Sequence, residues 1–161
     1  MAGKLDPKQI AQAGATNGQV LVFNTTTSKW EPQSYTVGFF AFGASGVATT
    51  TTTRYLWPWH EDSTAPTSAI QFRVPRACTL RNFRVRHNTG AGNGNNVVYT
   101  VRKNGVATSL VATLASTAND GSDLTNSVAF AAGDLIDIEV TKATSIGTTP
   151  SDITATLEAI A

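Results

Sequence analysis

The apolar residues of this chain recur at every second position in several short segments, which is the pattern of half-buried β-strands. Val97, Tyr99 and Val101 follow this pattern shortly before the dipeptide Asn104-Gly105. Both residues of that dipeptide tolerate the positive φ angles that a type I′ turn requires. The segment therefore predicts a β-hairpin whose turn lies at this dipeptide.

A second alternating segment follows the turn signal Gly133-Asp134. Glycine accepts a positive φ and aspartate hydrogen-bonds to nearby backbone, so this dipeptide predicts a tight turn. The strand after it is predicted to have one apolar face and one acidic face. The apolar face contains Ile136, Ile138 and Val140, and the acidic face contains Asp137 and Glu139.

Other short segments with strand patterns are separated by turn residues. About eight or nine such strands argue for a β-sandwich or a jelly roll. Pro58 restricts the aromatic segment 55–59 to an edge strand or a loop. Residues 115–126 are predicted to form a polar loop, and residues 88–95 an exposed, flexible tip. The remaining predicted strands are residues 37–42, which are expected to be buried, 69–74, 77–87, 126–130 and 153–160.

Residues 1–35 differ from the rest of the chain and predict an extended N-terminal arm. Asp6-Pro7 is suited to cap and begin a short helix over residues 8–13. The segment that follows predicts a strand, a threonine-rich turn and a return strand, which together make a small hairpin. We therefore expect two regions, the arm in residues 1–35 and an all-β domain in residues 36–161.

Basic and acidic residues are segregated along the chain, although the formal net charge of its 161 residues is only +1. Residues 63–119 contain seven basic residues and no acidic residue, whereas residues 120–161 contain seven acidic residues and one basic residue. One interpretation is a basic face that binds nucleic acid. The near-complete compensation favours a second one, in which basic strands face acidic strands within a subunit or between subunits. We therefore expect no nucleic-acid partner.

The sequence contains little catalytic chemistry. His60-Glu61-Asp62 is its only tight cluster of catalytic residue types, and there is neither a nucleophile elbow nor a phosphate-binding glycine loop. The single cysteine, Cys78, has no partner for an intrachain disulfide and is expected to be buried. No segment has the apolar length of a signal peptide or a membrane span. We therefore predict a protein that is not an enzyme, has no cofactor or metal, and has no membrane partner.

The motifs of the all-β domain resemble those of a known family. The segments Lys103-Asn104-Gly105-Val106, Ser127-Val128-Ala129-Phe130 and Ala132-Gly133-Asp134 resemble the trimeric jelly-roll heads related to C1q and tumour necrosis factor. Such heads tip collagen-like spore-surface proteins and many bacteriophage fibre and capsid-decoration proteins. The resemblance covers about residues 36–161. It implies a homotrimer of jelly-roll β-sandwiches. Combined with the pattern of residues 1–35, the predicted fold is an all-β jelly-roll β-sandwich preceded by an extended arm with a short helix and a small hairpin.

The arm resembles a small module of phage tail and head fibres that links an anchor to a distal head. This resemblance implies a capsid decoration or head-fibre protein, made in the host cytoplasm and located on the capsid surface of the virion. It would bind the major capsid protein or another virion protein through residues 1–35, and so stabilise or ornament the capsid. A solvated hairpin without a partner is the alternative interpretation. The candidate anchoring residues are Leu5, Ile10, Val20, Val22, Phe23 and Trp30.

A tail-fibre tip that recognises a host-surface glycan is the alternative function. Tyr55, Trp57 and Trp59 could stack on sugar rings, and the loops 57–63 and 90–95 could complete such a site. The same three aromatic residues could instead be buried in the core or between the subunits of a trimer. The sequence leaves both roles open.

Overall fold

The computed structural model describes residues 19–34, 36–47, 53–59, 63–92, 94–142 and 147–160. This part of the chain is all-β and contains no helix. The predicted helix over residues 8–13 lies outside it. The twelve strands are β1 (Gln19–Asn24), β2 (Lys29–Ser34), β3 (Thr36–Gly46), β4 (Arg54–Tyr55), β5 (Trp57–Pro58), β6 (Phe72–Arg73), β7 (Cys78–Arg86), β8 (Val97–Lys103), β9 (Val106–Leu114), β10 (Asp120–Phe130), β11 (Leu135–Lys142) and β12 (Ser151–Ile160).

The strands form one hairpin and two five-stranded antiparallel sheets. β1 and β2 pair only with each other. The first sheet has the order β10-β7-β12-β3-β5, and the second has the order β4-β11-β8-β9 with β6 beside β11. Apolar side chains from both sheets belong to one core. This arrangement is consistent with a β-sandwich.

The core is built from every second residue of the central strands. Phe40 and Phe42 of β3 are buried from the first sheet, and Tyr99 of β8 and Ile138 of β11 are buried from the second. Side chains alternate across a strand, so one apolar stripe per strand is enough to fill the space between two sheets. Each large apolar side chain contributes roughly 1.5–3 kcal/mol when it is fully buried. Cys78 is buried as predicted.

Both predicted turns are confirmed. Asn104 and Gly105 connect β8 to β9 with φ angles of 51° and 80°. Gly133 has a φ angle of 92° in the turn that precedes β11. The two-faced character of β11 is also confirmed, since its apolar residues lie in the core and its acidic residues on the opposite face.

The prediction of a polar loop over residues 115–126 is wrong for most of that segment. β10 begins at Asp120 and pairs with β7, with a bulge between Asp123 and Ser127. At the bulge the Asp123 carboxylate accepts hydrogen bonds from the backbone amides of Thr125 and Asn126. Polar side chains are compatible with this strand because it lies at a sheet edge, where one face and one edge are in water.

Three smaller predictions also need correction. β6 covers only Phe72–Arg73 instead of residues 69–74, because Pro75 and the residues before Phe72 make no ladder with β11. The segment 37–42 is not buried throughout, since Phe39 is 62% exposed on the outer face of β3. The tip over residues 88–95 is partly packed, because Ala91 is fully buried and its carbonyl accepts a hydrogen bond from Thr148 N.

The two ends of the sandwich differ in the chain segments that are located there. The arm enters at one end, where Thr36 of β3 pairs with Ile160 of β12. β3 leaves at the opposite end, where Gly46 pairs with Ser151. Three long connections join the two sheets at this second end. They run from β3 to β4, from β7 to β8 and from β11 to β12. We call these the arm end and the far end.

Candidate interaction surfaces

The hairpin of β1 and β2 contains four of the six predicted anchoring residues. Phe23 pairs with Trp30 across the hairpin, and their rings meet edge to face with centroids 5.6 Å apart. Phe23 and Val20 are exposed, whereas Val22 and Trp30 are half-buried. The predicted hairpin is therefore confirmed, and it presents aromatic surface to solvent. The other two anchoring residues, Leu5 and Ile10, lie outside the described residues.

The turn of this hairpin is held by its own side chains. Asn24 Oδ1 accepts hydrogen bonds from the backbone amides of Thr26 and Thr27, at 2.9 and 3.3 Å. Glu31 accepts from the Thr27 hydroxyl at 2.6 Å and from Asn24 Nδ2 at 2.8 Å. These side-chain hydrogen bonds lower the pKa of Glu31. The turn is therefore locally ordered, which reduces the entropy lost when such a hairpin binds a partner.

The structure does not bring the predicted aromatic trio together. Tyr55 lies in β4 of the second sheet, where its hydroxyl accepts a hydrogen bond from Arg102 Nη1 at 3.2 Å. Trp57 lies in β5 of the first sheet, and its indole Nε1 donates to Thr64 O at 3.2 Å. Trp59 follows β5 and is 54% exposed. These three residues are close in sequence but lie in three different environments. Tyr55 is separated from the two tryptophans because the chain crosses from the second sheet to the first between β4 and β5.

Trp59 instead pairs with Phe39, a residue that sequence reasoning missed. Their rings meet edge to face with centroids 5.7 Å apart. The apolar run 37–42 predicts a buried strand, which places Phe39 in the core. The signal for the opposite outcome is that Phe39, Ala41 and Gly43 alternate with Phe40 and Phe42 and therefore share the other face of the strand. Two large exposed aromatic rings in contact on one face of a sheet are typical of an interaction surface. We call Phe39 and Trp59 the aromatic pair.

The backbone at Trp59 is strained. Its φ angle is 56°, in the left-handed region that bulky residues rarely adopt. The conformation is held by a hydrogen bond from Trp59 N to Ala41 O at 2.9 Å. Strain of this kind costs on the order of 1–3 kcal/mol and is concentrated at functional positions. The fold therefore holds an exposed indole in place at an energetic cost.

A cleft of about 370 Å³ lies beside the aromatic pair. Phe72 and Pro75 form part of its wall, and Phe72 packs edge to face on Phe40 beneath it. Arg76 is the one charged residue among those that line it. An apolar cleft with a cation at its rim suits a side chain or segment from another protein chain.

The segregated charges meet within the subunit. Among the described residues there are five ion pairs, and each joins a basic residue of 63–119 to an acidic residue of 120–161. This outcome confirms that basic strands face acidic strands. The pairs are Arg81–Glu158, Arg86–Asp120, Arg102–Asp137, Arg102–Glu139 and Lys103–Asp134.

The ion pair between Arg102 and Asp137 is the most deeply buried of these. Arg102 Nε lies 2.7 Å from Asp137 Oδ1, and the Asp137 side chain is inaccessible to solvent. Gln71 Nε2 donates to the other carboxylate oxygen at 3.0 Å. The Arg102 guanidinium also lies over the Tyr55 ring, 4.8 Å from its centroid. All groups of this cluster have partners, so we interpret it as structural.

The described residues contain no group of three metal-ligating side chains. His87 is fully buried, with Nε2 2.7 Å from Ala118 O and Nδ1 3.4 Å from the Tyr99 hydroxyl. Burial raises the pKa of Tyr99 well above its ordinary value. The other histidine belongs to the cluster His60-Glu61-Asp62, which lies outside the described residues. His87 is therefore a satisfied core residue.

No protein-family model matches this chain, and no curated protein matches it in sequence. The part of the chain that the structure describes has no helix long and apolar enough to cross a lipid bilayer.

Proposed function

We propose that this protein is a structural protein of a bacteriophage virion. It is a homotrimeric capsid decoration or head-fibre protein whose arm binds the capsid and whose β-domain projects from it. The observation that carries this proposal is the strand order of the two sheets, taken together with the motifs that resemble trimeric jelly-roll heads. The activity is mechanical and requires neither a cofactor nor a metal.

The strand order supports a jelly roll. From β7 onward the chain alternates between the two sheets, except where the hairpin of β8 and β9 stays within the second sheet. The first sheet contains the order β10-β7-β12-β3, and the second contains β4-β11-β8-β9. Two four-stranded orders of this kind are generated by two Greek keys, which is the topology of a jelly roll.

The aromatic pair supports a trimer. Phe39 and Trp59 are exposed in one subunit, and large exposed aromatic residues in contact are unfavourable unless another surface covers them. In a ring of three subunits each head covers the same patch of its neighbour, so the aromatic pair of every subunit is removed from water. Arg76, beside this patch, would then contribute to the polar rim of the interface.

The hairpin supports an anchoring role. A two-stranded hairpin is marginally stable by itself, so its aromatic face gains stability when another surface covers it. Its turn is ordered by Asn24 and Glu31, and Phe23 and Trp30 offer the large rings that dominate binding interfaces. Three arms on one trimer meet the capsid together, so weak contacts combine through their effective concentration.

Co-sedimentation with capsids that lack this protein tests the proposal. Full-length protein should pellet with the capsids at a saturating and symmetric stoichiometry, and Trp30→Ala should weaken this binding about tenfold or more. Val106→Ala, which removes an exposed apolar side chain of the β-domain, is the matched control and should bind like the wild type. The anchoring role fails if Trp30→Ala occupies capsids normally. The capsid function fails if the wild-type protein does not pellet.

A receptor-binding tip of a tail fibre is the second candidate. It is favoured by the position of the asparagine-rich segment before β8 at the far end, away from the arm. In that case the arm would bind a tail component instead of the capsid lattice. Sedimentation with capsids and with isolated tails distinguishes these two sites of attachment.

A further inference from the structure

β1 has an open edge in the described part of the chain. It pairs with β2 on one side, and no described strand pairs with it on the other. An open edge presents unpaired backbone amides and carbonyls, which attract another strand unless the edge is protected. The usual protections are missing here, since β1 contains no charged residue, no proline and no bulge. β1 is therefore suited to accept a further strand.

The other edge strands that the structure describes are protected. β4, β5 and β6 have two residues each, and β5 contains Pro58. The ladders of β9 and β10 are irregular, and the Val111 amide at the edge of β9 donates to Asp123 Oδ2 at 3.2 Å. β2 contains Lys29 and Pro32, both of which discourage strand pairing at an edge. The open edge of β1 is therefore an exception within this fold.

Pro32 indicates which backbone groups of β1 point outwards. It pairs with Leu21, and proline fits an antiparallel ladder where its missing amide hydrogen would point away from the partner strand. The two types of pair alternate along the ladder, so the pair of Phe23 with Trp30 is of the same type. The amides and carbonyls of Leu21 and Phe23 therefore point to the open edge, whereas those of Val22 point to β2.

Exposed apolar side chains lie on both faces of β1. Val20 is 43% exposed and Phe23 is 46% exposed, and they point to opposite faces because an odd number of positions separates them. Residues 20–23 are all apolar, which is typical of a strand that is buried on both faces. A flat surface could cover only one of these faces. A strand that pairs with β1 places its own side chains beside those of β1 on both faces.

An extended segment of another protein fits this edge better than a second copy of the chain. The edge of β2 does not match it, because Pro32 lacks a donor and Lys29 carries a charge. Pairing of β1 with β1 of a second copy would follow a two-fold axis, which leaves one arm of the proposed trimer without a partner. The added strand should be uncharged and rich in β-branched residues, because the β1 side chains that it meets carry no charge.

We propose that the arm attaches by strand addition, in which an extended, uncharged segment of the capsid pairs with the open edge of β1; this rests on the proposed capsid function. Main-chain hydrogen bonds to Leu21 and Phe23 provide the affinity, and side-chain contacts on both faces of β1 provide the selectivity. The contact is thereby assigned to the backbone of one strand, in addition to the aromatic side chains of the hairpin.

Co-sedimentation of the full-length protein with capsids that lack it tests this pairing. Leu21→Pro removes an outward amide, whereas Leu21→Ala shortens the same side chain and keeps the amide. We expect Leu21→Pro to bind at least about tenfold more weakly than Leu21→Ala, because the lost donor and the proline ring both disrupt the added strand. Pro32→Ala changes the opposite edge of the hairpin and is the matched control, which should bind like the wild type.

Hydrogen exchange followed by mass spectrometry gives a readout that needs no substitution. In the free wild-type protein the Leu21 and Phe23 amides face water, so they should exchange faster than the Val20 and Val22 amides, which bond to β2. On capsids the exchange of the Leu21 and Phe23 amides should slow by about tenfold or more. The same measurement on free Leu21→Pro establishes, from the protection of Val22, that its hairpin is folded.

Three results would overturn strand addition and leave the capsid function standing. The first is equal binding of Leu21→Pro and Leu21→Ala to capsids that the wild type binds. The second is unchanged exchange of the Leu21 and Phe23 amides in the capsid-bound protein. The third is an assembly larger than a trimer that forms without capsids and is abolished by Leu21→Pro, which would identify a second copy as the occupant. If the wild type itself does not pellet, the capsid function fails and strand addition to the capsid fails with it.

Discussion

Replacing Arg102 with methionine is expected to destabilise the protein by about 3–5 kcal/mol, because it leaves a buried carboxylate without its counterion. Asp137 has no solvent exposure, and its Oδ1 accepts a hydrogen bond from Arg102 Nε at 2.7 Å. Methionine is also unbranched and apolar, so the packing of the arginine stem is largely retained. The loss of the charge therefore dominates the change in the free energy of unfolding.

The magnitude follows from what remains around Asp137 in this variant. Gln71 still donates to Oδ2 at 3.0 Å, but one neutral amide does not replace a guanidinium that binds both carboxylate oxygens. The ion pair between Arg102 and Glu139 is also lost, although Glu139 is partly exposed and its share is at most about 1 kcal/mol. The double variant Arg102→Met/Asp137→Leu removes both buried charges and should recover most of the loss.

Urea denaturation followed by tryptophan fluorescence measures these differences. Several protein concentrations are needed, because the proposed trimer would make the urea midpoint depend on protein concentration. Arg86→Met is the matched control, since its ion pair with Asp120 at 3.1 Å is exposed on both sides. That variant should lose less than about 1 kcal/mol. An equally small loss in Arg102→Met, or no recovery in the double variant, would refute the reasoning.

Three further substitutions test other parts of the molecule. Burial raises the pKa of Asp123, but hydrogen bonds from Asn126 and from backbone amides lower it more, to about 2. The ionised Asp123 carboxylate should therefore add about 1–2 kcal/mol to the free energy of unfolding above about pH 4. This contribution should be lost as the pH falls towards 2, and Asp123→Asn should remove this part of the acid transition. Gly121→Ala should destabilise the fold by about 1–3 kcal/mol in urea, because its Cβ would overlap the Leu114 side chain. Trp59→Ala should raise the concentration at which the proposed trimer dissociates in light scattering by about tenfold or more.

Each of these substitutions has a control and an opposing outcome. Asp134 also has a pKa of about 2, so the pH dependence assigned to Asp123 is the difference between the wild type and Asp123→Asn. Ser122→Ala changes the residue next to Gly121 and is the control for Gly121→Ala. It is expected to unfold at the same urea concentration as the wild type. If Gly121→Ala is equally stable, β9 and β10 are not packed as closely as described. If Trp59→Ala dissociates like the wild type, the aromatic pair does not lie in the subunit interface.

Local patterns were sufficient for those elements whose signals lie within a few residues. The turn at Asn104-Gly105 follows from the conformational freedom of those two residues, and the two faces of β11 follow from alternation alone. The hairpin that pairs Phe23 with Trp30 was predicted in the same way. The extent of β10 could not be predicted from the sequence, because an edge strand with a bulge at Asp123 has no apolar alternation to identify it.

The sequence by itself determined that the part of the chain that the structure describes is all-β, where its main turns lie, and that the basic and acidic segments compensate each other. These properties depend on local conformation and on composition, which neighbouring residues carry. Only the tertiary structure decided which residues share a surface. It separated Tyr55 from Trp59 and paired Trp59 with Phe39. Such contacts join strands far apart in the chain, and sheet order, not sequence spacing, sets the distance between them.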